Sequence, residues 1–145
     1  TIYERELTER THEMDPRVTH RMTEYANSPS SNYIRLHYGM RDLRRRFWPG
    51  LAGVDAIVAP TLPILPPRIA DLESDEAYFV ANSQVLRNTA PFNVLGCPAA
   101  SVPCGSTAEG PSVGLMIVTR PGEDELALRI AKQLETALVQ SSTKR

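Results

Sequence analysis

Apolar positions recur at helical spacing in several stretches of the chain. Asp15-Pro16 marks a helix start, an acidic cap followed by a proline whose missing N–H costs nothing in the first turn. Val18, Met22, Tyr25 and Ala26 then follow at helical steps, and Asn27-Ser28-Pro29 ends the run. Ser30 or Ser31 opens a second, longer helix. In it Tyr33, Leu36, Met40, Leu43 and Phe47 alternate steps of three and four and predict a buried stripe, which Trp48-Pro49-Gly50 stops. Residues 1–14 are polar and read as a frayed helix or an arm.

The pattern changes after Gly53. Residues 55–59 form a short continuous apolar run closed by Pro60, which predicts a strand buried on both faces. Residues 60–67 carry four prolines and must be extended or looped, because each proline disfavours helix at the residue before it. Residues 71–78 are acidic and read as solvent-facing. A third helix is expected over 79–95, kinked or divided at Pro91. Residues 99–103 and 112–119 predict two strands joined by a Gly/Ser/Pro loop. In the second, Val113, Leu115 and Ile117 share one face and Met116 and Val118 the other, so both faces are apolar and the strand is interior.

From Asp124 onward Leu126, Ala127, Ile130, Ala131, Leu134, Ala137 and Leu138 make one apolar helix face. Lys132, Gln133, Glu135 and Thr136 lie opposite, and a disordered tail is expected after Val139. The whole reads as an α/β arrangement with three interior-type strands. Since a three-stranded sheet has two edges, and apolar edges invite pairing, the sheet looks like part of a larger one.

Composition changes this picture little. A chain of 145 residues fits one domain, and its 41% apolar and 23% charged residues are ordinary for a globular protein. A net charge of −1 gives no electrostatic case for nucleic acid or an anionic membrane as partner. No run of about 18 apolar residues predicts a membrane span. Cys97 and Cys104 fit no metal-binding pattern. A disulfide between them is one reading, and reduced thiols in a cytosolic protein the favoured one.

The segment Thr89-Ala90-Pro91-Phe92-Asn93-Val94-Leu95-Gly96-Cys97-Pro98-Ala99-Ala100-Ser101-Val102-Pro103-Cys104-Gly105 carries a resemblance. So do Gly114-Leu115-Met116-Ile117, the last helix, the run from Asp55 to Pro63, and Arg21. In this order and spacing they resemble the carboxy-terminal part of the amidase signature family, over residues 15–138. The resemblance implies a central mixed sheet flanked by helices, incomplete in this chain, and a parent enzyme that hydrolyses carboxamide C–N bonds. It also implies a small-molecule amide substrate and no metal or organic cofactor. An amidotransferase subunit on the same fold is equally consistent with it.

That family uses a lysine and two serines, one preceded by a cis peptide, in a Gly/Ser-rich stretch. This chain holds no such stretch. Lys132 and Lys144 are its only lysines, and both read as solvated, whereas a catalytic lysine must be desolvated to lose its proton near neutral pH. The expectation is therefore no catalytic residue here, and a chain that is inactive alone. A Cys104 nucleophile with His12, His20 or His37 as base is the weaker alternative to a structural Cys104.

Two substrate-binding candidates remain. Arg21 matches the place of an arginine that pairs with a substrate carboxylate in some relatives, a task for which a planar guanidinium is suited; a surface arginine is the competing reading. Arg87 is either a second contact or a brace for the loop before Pro91. Thr89 and Asn93 are expected to satisfy backbone groups around that proline, and Gly96 and Gly105 to take unusual backbone angles. Arg41, Arg44, Arg45 and Arg46, with Asp42 beside them, read as a solvated helix face. The expected partners are the remainder of an amidase domain or a complementary chain, with self-association of the exposed edges as a further outcome.

Overall fold

The computed structural model describes residues 3–108 and 110–142. Its contacts divide the chain into two compact units that meet in sequence between Gly39 and Met40.

The first unit is helical. It contains α1 (Glu4–Glu9), a 3-10 turn (Thr11–Glu13), α2 (Pro16–Thr23) and the first part of α3 (Ser30–Phe47). Asp15 caps α2 as expected, its side chain accepting from the N–H groups of Arg17 at 2.8 Å and Val18 at 3.4 Å, with Pro16 in the first turn. The predicted buried stripe of α3 is corrected here. Tyr33 is 72% exposed, Leu36 65% and Leu43 49%, while Met40 and Phe47 are half-buried. The helix itself forms as the spacing predicts, but Tyr33, Leu36 and Leu43 on its apolar face are exposed.

The second unit is a sheet with helices. In chain order it holds the end of α3, β1 (Ile57–Pro60), α4 (Asp75–Leu86), α5 (Ala90–Leu95), β2 (Ala99–Ser106), β3 (Ser112–Val118) and α6 (Asp124–Ser142). The strand order is β1-β3-β2, and both pairings are antiparallel. Ile117 stands opposite Val58 on one side and Ala100 on the other. β3 is thus the interior strand that its two apolar faces predict: Met116, Ile117 and Val118 are 2%, 0% and 0% exposed.

β1 differs from expectation. It is an edge strand with alternating burial, and Val58 is half exposed, so it is not covered on both faces. β2 also lies at an edge and runs to Ser106, past the predicted end. A register shift between Pro103 and Gly105 accommodates the extra residue, with Gly105 at φ +142°.

One face of the sheet packs on α6. Val102, Ile117 and Ala131 form the core there, with Ala100, Leu115, Ile130, Leu134 and Leu138 half-buried around them. Ala137 is exposed, which leaves it outside the predicted face. α6 continues to Ser142, past the expected start of a tail at Val139; residues 143–145 lie outside the described residues. The buried Thr119 closes the turn into α6, donating its hydroxyl to the Glu123 carbonyl at 2.9 Å.

Pro91 divides the third predicted helix. α4 begins earlier than expected, capped by Ser74, whose hydroxyl accepts from the Ala77 N–H at 3.2 Å, with Asp75 and Glu76 in its first turn. The acidic segment is therefore partly helix, and its Tyr78 is half-buried rather than solvent-facing. α5 ends in a Schellman arrangement. Cys97 N–H donates to Phe92 O at 3.0 Å, Gly96 N–H to Asn93 O at 3.1 Å, and Gly96 takes φ +70°.

Candidate functional site

The site is built where the three strands, the turn between α4 and α5, and the proline-rich segment meet. Residues 61–68 leave β1 without regular structure, as their prolines require. The start of this segment is tied down three ways. Thr61 N–H donates to Gly114 O at 2.8 Å, continuing the β1–β3 ladder by one residue. The Thr61 and Ser101 hydroxyls share a hydrogen bond of 2.6 Å, linking the edges of the sheet across β3. Asn88, in the turn after α4, donates its side-chain N–H to Pro60 O at 2.8 Å.

Gly114 makes the bridge between hydroxyls possible. A Cβ on it would stand 2.7 Å from Ser101 Oγ and 2.8 Å from Thr61 Oγ1. Beyond the bridge, Leu62–Pro66 and Ser112, Val113 and Gly114 enclose an open cleft of about 190 Å³. Among the described residues no charged side chain lines it. Its walls are leucine, isoleucine, valine and proline, with the Ser112 hydroxyl and backbone groups as the polar contribution.

The sequence candidates fall as follows. Arg21 is an exposed residue of α2 in the first unit. Arg87 is exposed in the turn after α4, immediately before Asn88, so the turn that carries it is fastened to the end of β1. Thr89 donates to Leu86 O at 3.4 Å, a weak bond, and Asn88 rather than Asn93 makes the long-range side-chain contact of this turn. Neither Thr61, Ser101 nor Asn88 is singled out by the sequence pattern. Gly114 is the available signal, because a glycine inside an apolar strand marks close approach of another group.

Lys132 is exposed on the polar face of α6, and Lys144 lies outside the described residues. Cys104 sits in the irregular part of β2 and donates its thiol to Val113 O at 3.4 Å, while His12, His20 and His37 belong to the first unit. Arg45 and Arg46 pair with Asp42 at the surface. Arg44 is exposed as well, and it also donates to Val94 O at 2.8 Å, which braces the end of α5.

The cysteines are free thiols, so the disulfide reading is set aside. Burial pushes the Cys97 thiol above the ordinary thiol range, and the neighbouring Trp48 and the charge of Arg44 offset this in part. A raised pKa means less thiolate at a given pH. Cys97 is accordingly expected to react with iodoacetamide at pH 8 several-fold more slowly in the folded chain than in urea. The folded state favours the protonated thiol. Its contribution to stability is therefore full below the unfolded thiol pKa and is lost as pH rises through the folded one.

With this geometry in hand, comparison with known proteins assigns the class. The family model for amidases matches residues 2–128, and the chain belongs to the amidase family. It is similar to a 6-aminohexanoate-cyclic-dimer hydrolase of Paenarthrobacter ureafaciens, 39% identical over 102 residues that make up 64% of this chain and 20% of that protein. It is also similar to a glutamyl-tRNA(Gln) amidotransferase subunit of Myxococcus xanthus (strain DK1622), 36% identical over 73% of this chain and 22% of that protein. A crystal structure of an amidase superposes with a TM-score of 0.76 at 27% identity, covering 94% of this chain and 32% of that one. The chain thus matches about a fifth of the length of each of these two relatives.

Proposed function

We propose that this chain is the carboxy-terminal portion of an amidase that hydrolyses carboxamide C–N bonds. It completes the central sheet and lines part of the substrate cleft, while the lysine and the two serines of the reaction come from the part of the domain it does not contain. The observation that carries this reading is the open sheet: β3 is paired on both sides, whereas the outer edges of β1 and β2 are unpaired among the described residues. Large exposed side chains on α3, Tyr33 and Leu36 foremost, add an apolar surface that a further part of a domain would cover.

In the reaction the resemblance implies, a serine attacks the carboxamide carbonyl, the amine leaves with a proton, and water releases the acyl group as a carboxylate. Backbone N–H groups stabilise the oxyanion. This chain would position and enclose the substrate, with either Arg21 of the first unit or Arg87 of the second as the group available to a substrate carboxylate. A small-molecule amide is the substrate class. The enzyme is read as cytoplasmic and free of metal and organic cofactors.

The purified chain is expected to release no ammonia from simple amides. Co-expression with the upstream part of an amidase of this family is expected to restore turnover to within tenfold of the intact enzyme. Turnover by the chain alone, lost on Cys104→Ala or Lys132→Ala, would overturn the reading. The same open edges support a second reading, in which the chain is a noncatalytic module or one half of a split amidase or amidotransferase. Stable pairing with the complementary chain without turnover would select a noncatalytic module.

A further inference from the structure

We propose that the cleft beside Gly114 is a subsite for an uncharged, apolar group of a small carboxamide, and that Thr61 and Ser101 are the positioning pair that holds its wall. The proposal rests on the amidase reading above and adds the substrate chemistry. Three features of the cleft carry it: its lining, its size and the stiffness of its wall.

The lining supplies no counter-ion. Leu62, Ile64, Leu65 and Val113 are among its lining residues, and the Ser112 hydroxyl and backbone groups supply its polar part. A carboxylate or ammonium placed there would find no counter-ion among the lining residues, which favours an uncharged group. An alkyl or aryl group gains instead, by about fourfold for each methylene removed from water.

The size, about 190 Å³, falls below the roughly 300–1,000 Å³ of pockets for whole drug-sized ligands. Apolar cavities of about 150 Å³ accept benzene. The cleft therefore suits one substituent of a substrate, a short alkyl chain or a single ring.

The wall is pre-organised. Pro63 and Pro66 each fix a backbone angle, and the segment starts from an anchored residue, Thr61. At its far end the chain enters a 3-10 turn, Ile69–Leu72, that packs on α4. The 2.6 Å bond between the Thr61 and Ser101 hydroxyls ties the wall to the opposite edge of the sheet, and Asn88 holds the preceding Pro60. A wall held in this way loses little conformational freedom when a ligand enters. Thr61 acts through the segment it anchors, so its loss should loosen the cleft without touching the reacting bond.

Two measurements test this. Amide proton–nitrogen NMR spectra of the chain, titrated with hexanamide, are expected to show saturable shifts at Leu62, Ile64, Leu65, Val113 and Gly114. Ile64→Trp, which fills the cleft, is expected to abolish them. In the intact enzyme, KM is expected to fall along the series from acetamide to hexanamide by up to about fourfold per methylene, with kcat changing less than twofold. Thr61→Ala should flatten that trend and Thr61→Ser restore it. Shifts elsewhere, or a chain-length trend that survives Ile64→Trp, would overturn the proposal. Turnover of amides with no chain-length trend defeats the subsite and leaves the amidase reading standing. Saturable shifts with no turnover of any amide support the subsite and defeat that reading.

Discussion

Gly114→Ala is expected to destabilise the chain by about 2–4 kcal/mol, lowering the urea midpoint by about 1–2 M. The cost is steric. Gly114 does not take a left-handed backbone angle, so alanine fits its conformation, and the new methyl meets Ser101 Oγ at 2.7 Å and Thr61 Oγ1 at 2.8 Å, with Thr61 Cβ at 3.3 Å. Threonine is stiff about its first torsion, and moving either hydroxyl breaks the bond between them. Overpacking of this kind costs about 1–3 kcal/mol. Displacing the bridge of hydroxyls adds about 1 kcal/mol. Ser101→Gly made in the Gly114→Ala background removes the nearer clash and is expected to recover at least half of the loss. Equal losses with and without Ser101→Gly in that background would show that the hydroxyl contact is not the cause.

That prediction depends on contacts whose partners are far apart in sequence. Thr61 and Ser101 are separated by 40 residues, and Asn88 and Pro60 by 28. No local pattern announces such pairs, since a threonine after a strand and a serine within one are common surface residues. The signal is indirect, a glycine in an otherwise apolar strand. Elements whose causes are local are legible. Asp15-Pro16 starts α2, α6 follows from six apolar positions that are covered on one face, and Gly96 ends α5, each within a few residues of its physical cause.

Misreadings arise where a pattern reports a face but not what covers it. The α3 stripe has helical spacing, and Leu36 is nevertheless 65% exposed. Periodicity is a property of the segment, whereas burial depends on a partner. β1 is a second case of the same kind: its apolar run reads as covered twice, but it lies at an edge and exposes Val58. Both departures have the same sign, apolar surface without cover, and both accord with a family whose matched members are several times longer than this chain. The cleft has neither a glycine-rich turn nor a pair of charged groups to mark it. Its character is the absence of charge among Leu62–Pro66 and Val113, which becomes visible only once β3 is placed beside that segment.

The interior of the sheet should lose much more than its edge when a side chain is truncated. Ile117→Ala is expected to cost about 4 kcal/mol, near the top of the usual range for emptying a buried isoleucine site. Ile117 is completely buried, and it packs with Val102 of β2 and Ala131 of α6. Its strand is hydrogen-bonded on both sides, so the backbone cannot close over the space that the lost atoms leave. The residues directly opposite it, Val58 and Ala100, are too small to fill that space from the neighbouring strands. Ile117→Val removes a single methylene and should cost only about 0.5–1.5 kcal/mol. Val58→Ala, at a half-exposed position on the edge strand, should cost less than about 1 kcal/mol in the chain as it stands. Urea unfolding of the three variants separates the cases, and a loss at Ile117→Ala within about 1 kcal/mol of that at Val58→Ala would contradict the placement of β3 at the centre. If the chain is part of a longer amidase in which a further strand covers β1, the cost of Val58→Ala should rise there while that of Ile117→Ala stays the same. The difference between the two proteins measures the cover that β1 lacks in this chain.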